Sequence, residues 1–353
     1  MSEFNKKIFR KQLIEWYLEE KRNLPWRNTS DPYKIWVSEI MLQQTRVDTV
    51  IPYYNRFINA FPTMKDLADA KEESLLKQWE GLGYYSRARN LQAGVREVVE
   101  TYNSIVPNTR EEISSLKGVG PYTAGAVLSI AYGKPEHAVD GNVMRVLSRV
   151  LLIKEDIAKP KTRKIFEQAV TEIIDHEDPS SFNQGLMELG AVICTPKSPK
   201  CLLCPVRENC AAYYAGEQND LPIKTRNTKT RALHYDIYIA LNDKNHLLME
   251  KRPESGLLAN MWQFPMIERS GIDMDTVPLL EDSYGIRYTK ENDLGTFKHI
   301  FSHLTWEMNS FVGHAVDMSV PENSKWLSLE ELKDVPMPVP MLKILQAFNE
   351  RGK

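Results

Sequence analysis

An all-α domain joined to a smaller α+β domain is the fold class this sequence predicts, and three observations predict it. Apolar residues recur at helical spacing almost without break from residue 4 to about 215. A polar, basic stretch, "GEQNDLPIKTRNTKTR" at 216–231, then interrupts the pattern, with Leu221 and Ile223 its only large apolar residues. Beyond it the period changes from that of a helix to that of a strand. The 353 residues suffice for two domains of ordinary size. We place these at 1–215 and 232–353, with a linker at 216–231.

The helices declare themselves in order. "FRKQLIEWYLEE" sets Phe9, Leu13, Trp16 and Tyr17 on one face. "DPYKIWVSEIMLQQT" opens with Asp31 as a cap and Pro32 at the first helical position. "TREEISSLKGVGPYTAGAVLSIAYG" reads helix, glycine turn, helix, and a stop at Gly133. "DGNVMRVLSRVLL" aligns Val143, Val146, Leu147 and Val150. In the second domain, "LHYDIYIALND" alternates Tyr235, Ile237, Ile239 and Leu241 with polar or small neighbours, which predicts a half-buried strand. "NDKNH" turns the chain, "LLMEKR" returns it, "FVGHAVDM" predicts another strand and "VPMLKILQAFNE" a closing helix. There is no tandem repeat and no low-complexity tract.

Composition narrows the function class. With 42% apolar and 26% charged residues the chain has the make-up of a soluble globular protein. No apolar run approaches a membrane span, and the basic start has no apolar signal core. A cytoplasmic monomer is expected. The net charge of −2 gives no argument for nucleic acid by itself. It divides into +4 over residues 1–231 and −6 over 232–353, which agrees with an anion-facing first part and carries little weight alone.

All four cysteines fall within one short stretch, "CTPKSPKCLLCPVRENC", as Cys194, Cys201, Cys204 and Cys210. With no secretory segment, disulfides are not expected. Four thiolates so placed suit a zinc ion or a [4Fe–4S] cluster, and counting cysteines leaves both open. The spacing C-x6-C-x2-C-x5-C, following an all-α domain, resembles the cluster loop of the endonuclease III family of DNA glycosylases. That resemblance implies a [4Fe–4S] cluster on these four cysteines.

"LKGVGPYTAG" at 116–125 resembles the helix-hairpin-helix of the same superfamily. Gly118 and Gly120 carry no side chain, so the backbone around Val119 can approach a phosphate and aim N–H groups at it. The helix beginning at Pro121 adds its positive end, and Lys117 a charge. Such a grip positions the protein on duplex DNA without reading sequence. Members of the superfamily that also cut the strand carry a lysine two residues after the second glycine. Here that position is Tyr122, which cannot form a Schiff base. The resemblance therefore implies base removal alone.

Cleaving a base from deoxyribose calls for a protonated carboxyl beside the base and an ionised one beside the sugar. Asp140 in "HAVDGNVMRVL" reads locally as a helix N-cap. The superfamily places its catalytic aspartate in a similar setting about twenty residues after the hairpin, which implies that Asp140 is the ionised group. Glu39 in "YKIWVSEIMLQQTR" has Trp36, Val37, Ile40, Met41 and Leu42 for neighbours, so its pKa should be raised. "LPWR" at 24–27 followed by "VSEIMLQQTRV" closely resembles the adenine-specific MutY branch. By that resemblance Glu39 protonates adenine, Asn142 orients Asp140 or a water, and Tyr122 lies near both. It also implies that Arg22, Trp26, Arg27 and Gln184 line the base pocket. Gln44, Thr45, Leu82 and Tyr84 are the implied residues for opening the duplex, with Arg87 and Arg89 on phosphates.

"LLMEKRPESGLLANMWQFPMIE" resembles the Nudix fold, but the R-E-x-x-E-E helix of a Nudix hydrolase does not follow it. A Nudix-like domain without hydrolase chemistry is expected. In the MutY branch this domain recognises 8-oxoguanine, and "FKHIFSHLTWEM" resembles its reading loop at Ser302 and His303. The implied partner is double-stranded DNA bearing adenine opposite 8-oxoguanine or guanine. The implied protein is bacterial in type, nucleoid-associated when on DNA, and works in base excision repair.

Overall fold

The computed structural model describes residues 4–225, 231–269, 271 and 274–351. The helices of the first two-thirds are α1 (Lys6–Glu20), α2 (Pro32–Leu42), α3 (Val47–Ala60), α4 (Met64–Asp69), α5 (Glu72–Trp79), α6 (Ser86–Thr101), α7 (Arg110–Ser115), α8 (Pro121–Tyr132), α9 (Gly141–Val150), α10 (Thr162–Ile173), α11 (Pro179–Val192) and α12 (Ala211–Ala215). Two compact units result: Met1–Asp69 with Ser86–Arg226, and Ala70–Tyr85 with Asn227–Lys353. Residues 70–85, counted with the first domain from sequence, thus group with the second.

The first unit is all-α. Asn5 caps α1, and Phe9 and Leu13 of that helix join Val143, Val146, Leu147 and Val150 of α9 and Phe182 and Leu186 of α11 in one core. The apolar stripe read from α9 is thus the buried one. Trp16 lies only partly in this core. Asp31 caps α2 by accepting from Tyr33 N–H at 2.9 Å, with Pro32 opening the helix. From Ile35 to Met41 every residue of α2 is buried. A helix buried on all sides must be enclosed by neighbours, and α2 packs against α3, α6 and α8.

The helix pair α7–α8 forms the expected hairpin. Thr109 caps α7: its Oγ1 accepts from Glu112 N–H at 3.3 Å and donates to Glu112 Oε2 at 2.7 Å. Leu116 and Val119 bury their side chains under the turn, and the Val119 N–H bonds the Leu116 carbonyl at 3.1 Å. Gly118 has φ +78, and a Cβ there would meet Asn90 Cβ at 2.6 Å. Gly133 ends α8 at φ +63. Inside α8, a Cβ on Gly125 would lie 1.8 Å from the His137 carbonyl oxygen, so this helix lies directly against the stretch leading to α9.

The stretch read as a linker packs on the first unit over much of its described length. Leu221 is buried, its carbonyl accepts from Arg149 Nε at 2.9 Å, and Ile223 carbonyl accepts from Ile157 N–H at 3.0 Å. The two apolar residues noted in that polar stretch provide the attachment. Residues 226–230 of the linker lie outside the described residues.

The second unit holds β1 (Arg231–Leu241), β2 (Leu247–Lys251), β3 (Trp262–Gln263), β4 (Met266–Glu268), α13 (Val277–Tyr284), β5 (Ile286–Ile300), β6 (Leu304–Asp317), β7 (Ser324–Leu327) and α14 (Val339–Arg351). They form a sheet ordered β3-β2-β1-β6-β5, with β4 on β1 and β7 on β2. β1 and β6 run parallel, from Arg231 opposite Leu304 to Leu241 opposite His314. Alternation in β1 predicted one buried face, but burial runs unbroken from Asp236 to Ala240. Ile237 and Ile239 pack with Met341 and Ile344 of α14, while Tyr238 and Ala240 pack with Leu280 and Tyr284 of α13. Helices cover both faces of a central strand, so both its sides are interior.

We expect Gly125→Ala to destabilise the first unit by about 1–3 kcal/mol, because the added methyl has no space beside the 137 carbonyl. Urea unfolding followed by circular dichroism measures this.

Candidate active site

A cleft of about 660 Å³ in the first unit gathers residues from widely separated parts of the chain. Glu39, Tyr122, Asp140, Asn142, Arg22, Trp26, Arg27, Gln184, Gln44, Thr45, Gly118 and Gly120 all line it. Of the predicted hairpin residues, Lys117 is exposed and Val119 is turned into the core. Trp26 is buried, edge-on to Tyr54 at 5.4 Å between centroids.

Glu39 enters the cleft from the enclosed helix α2, where its residue is 5% exposed. Tyr122, at the start of α8, donates to Glu39 Oε2 at 2.5 Å. Burial raises the Glu39 carboxyl to about 7, Tyr122 and Arg27 act to lower it, and Asp140 acts to raise it. A carboxyl near 7 can carry a proton at neutral pH. Burial also holds the Tyr122 phenol well above its usual range, so it remains a donor.

Asp140 is both a helix cap and a member of the cleft. Its Oδ1 accepts from Val143 N–H at 2.7 Å, and its Oδ2 accepts from Asn142 Nδ2 at 2.9 Å. Burial raises its pKa, opposed by the bonds from Val143 and Asn142 and by the charge of Arg145. Arg145 donates to Asn142 Oδ1 at 2.7 Å and to the Cys194 carbonyl at 2.8 Å. One helix therefore connects the aspartate to the cysteine loop.

That loop brings Cys194, Cys201, Cys204 and Cys210 to one small cavity. Arg149, buried, directs Nη1 at Cys194 Sγ (3.1 Å). Among the described residues no three His, Cys, Asp or Glu side chains converge closely enough to hold a single ion. Burial, with a smaller contribution from the other three cysteines, pushes the Cys204 thiol up to about 12. Thiols so crowded become thiolates only when a cationic centre takes the charge. Four cysteines on one cavity beside the Arg149 guanidinium form a donor set that fits a thiolate-held metal centre, whether zinc or iron–sulfur.

In the second unit, Tyr84 and Ser302 share a hydrogen bond of 2.6 Å. Tyr84 has φ +48 between Gly83 (φ +75) and Tyr85, and is 46% exposed. Leu82, expected to wedge, is only 6% exposed and faces inward. Ser302 and His303 are exposed on the turn between β5 and β6. Arg87 differs from expectation as well: its Nη1 is bonded to the Ile40, Met41 and Gln43 carbonyls, closing the C-terminal end of α2.

The comparisons with known proteins agree with this layout. Residues 37–172 match the model of the HhH-GPD superfamily base excision DNA repair proteins, and residues 237–347 that of the NUDIX domain. The adenine DNA glycosylase of Rattus norvegicus is 35% identical, over 98% of this chain and 78% of its own. The chain belongs to the adenine DNA glycosylase family. The family member from Buchnera aphidicola subsp. Baizongia pistaciae is 34% identical over 97% of both chains. Among solved structures, a thermostable thymine-DNA glycosylase is 30% identical with TM-score 0.53, covering 60% of this chain and 97% of that one. Endonuclease III in a trapped covalent DNA intermediate is 26% identical with TM-score 0.51, covering 61% and 99%. The chain is a DNA glycosylase with a helical core and a Nudix-like second domain.

Several cleft residues escaped the sequence reading: Gln43, which donates to Thr123 Oγ1 at 3.3 Å, Met187, Arg163 and Glu188. Glu188 stands four residues after Gln184 on α11, and that spacing was the available signal.

Because folding lifts Glu39 from 4.5 to about 7, the folded state holds a proton that the unfolded state releases. Stability is therefore lost as pH rises through this window. Glu39→Gln should remove the loss, gaining about 3 kcal/mol on the native chain between pH 4.5 and alkaline pH. Urea titrations of both proteins across pH decide it; parallel curves would assign the proton elsewhere.

Proposed function

We propose that this glycosylase removes adenine standing opposite 8-oxoguanine or guanine in duplex DNA, by hydrolysis and without cutting the strand. The observation that carries the reading is a buried Glu39, bonded by Tyr122 and with its carboxyl raised to about 7, in the same cleft as the helix-capping Asp140. Glu39 gives its proton to the adenine ring, at N7, so that the base departs neutral. As the bond between C1′ and the base breaks, positive charge grows on the sugar. Asp140, fixed by the Val143 N–H and Asn142, faces that charge. Water then adds to C1′ and gives its proton to the Glu39 carboxylate, which restores the starting state. Tyr122 holds Glu39 in place and, having no amine, forms no covalent link to the sugar.

Extrusion of the base falls to Gln44 and Thr45 in the cleft and to Tyr84, whose ring can stack on a base. The hairpin turn at Gly118–Gly120 and Lys117 would hold a phosphate. Ser302, with both a donor and an acceptor, would meet the oxidised guanine edge. Cys194, Cys201, Cys204 and Cys210 would hold a [4Fe–4S] cluster, which when bound staples the loop that Arg145 and Arg149 reach.

On an A·8-oxoguanine duplex, strand breaks should appear only after hot alkali. Breaks of equal extent without alkali would favour a lyase instead. Asp140→Asn should slow base release about a thousandfold or more while duplex binding is retained. The purified protein should absorb broadly at the blue end of the visible spectrum; a colourless sample containing zinc would replace the cluster with a single ion.

A further inference from the structure

We propose that Glu188 is a positioning residue of this site, fixing Arg22 and Arg27 in the cleft wall and cancelling their charge beside Glu39. The inference rests on the reading of Glu39 as proton donor and deepens it.

Glu188 is 1% exposed and uses both carboxylate oxygens. Oε1 accepts from the Arg22 backbone N–H at 3.2 Å and from Arg22 Nε at 2.8 Å. Oε2 accepts from Arg22 Nη2 and from Arg27 Nη2, each at 2.7 Å. Four donors fill its acceptor sites, so it has no free lone pair for a substrate. Burial would raise its carboxyl, yet the bonds and charges of the two arginines hold it at about 2. It is an anion at any working pH and can neither give nor take a proton in turnover.

Its effect is therefore exerted through its partners. The two parallel bonds fix the plane of the Arg22 guanidinium, whose side chain stays 36% exposed at the cleft. That leaves Nη1 of Arg22 available to a bound base. Arg27 is held on all sides: by Glu188, by the Arg22 carbonyl at 3.1 Å, and over the Tyr17 ring at 5.3 Å. The charged and titratable groups around Glu39 are Tyr122 on α8, Asp140 before α9, Arg163 on α10, Arg22 and Arg27 before α2, and Glu188 on α11. Arg27 in that wall favours the charged form of Glu39, and Glu188 is the anion bonded to both Arg27 and its neighbour Arg22.

The test is the single-turnover rate of base release from an A·8-oxoguanine duplex, followed from about pH 5 to about pH 9. In the wild type the rate should fall as pH rises through neutrality. Glu188→Gln should move that fall to lower pH by about one unit and weaken substrate binding roughly tenfold. Glu188→Asp, which keeps the charge, should leave the fall near the wild-type pH. If Glu188→Gln does not fold, Arg27→Gln carries the test and should move the fall to higher pH. A fall unmoved in Glu188→Gln, or in Arg27→Gln where that variant stands in, with only binding weakened, overturns the inference. A wild-type profile whose alkaline fall survives in the residual activity of Glu39→Gln sinks the underlying proton-donor reading instead, whatever Glu188 does.

Discussion

A carboxyl group withdrawn from water, with one phenol as its close hydrogen-bond partner, is the constraint on which the rest of this protein turns. Nothing in α2 softens the burial of Glu39: the helix is enclosed from Ile35 to Met41. A charge placed there without compensation is expensive, so the group keeps a proton to higher pH than a glutamate in water. The hairpin supplies the compensation that exists. Pro121 starts α8 at the point where Tyr122 falls within reach of Oε2. Tight packing fixes that start, because Gly118 and Gly125 leave no room for a side chain at Asn90 and at the 137 carbonyl.

Asp140 resolves an ambiguity that its local sequence poses. A cap and a reacting carboxylate look like competing roles, yet one oxygen bonds the helix N-terminus while the other faces Asn142. The cap is the reason the group is held still. Arg145 extends the arrangement to the Cys194 carbonyl, so the rigidity of the aspartate is tied to that of the cysteine loop.

Much of this was legible in the sequence because it lies in contiguous patterns. The hairpin glycines, the cysteine spacing, the Asp31–Pro32 start and the α9 stripe each occupy one short window. What escaped has physical causes. β5, Ile286–Ile300, sits at the sheet edge, is largely exposed and carries register shifts at Lys290/Asn292 and Asp293/Gly295, so no alternation marks it. β1 misled in the opposite sense, because helices on both faces erase the period-two signal. Glu188 showed only its four-residue spacing from Gln184, because the partners that define its role lie 161 and 166 residues away. Arg87 reads as a phosphate ligand until its carbonyl partners are known.

The chain passes between its two units at three places rather than one, since residues 70–85 belong with the second. Trp262 Nε1 donates to Glu73 at 2.7 Å, Asn260 Nδ2 donates to Glu72 at 3.0 Å, Lys77 Nζ donates to the Val335 carbonyl at 3.1 Å, and Met337 N–H donates to Glu80 at 2.8 Å. These bonds hold the base of the loop whose tip is Tyr84. A fragment severed near residue 226 would keep the cleft and keep Tyr84 in its sequence, yet strip away the scaffolding that aims it. Trimming this protein at its apparent joint removes more than the piece that is cut off.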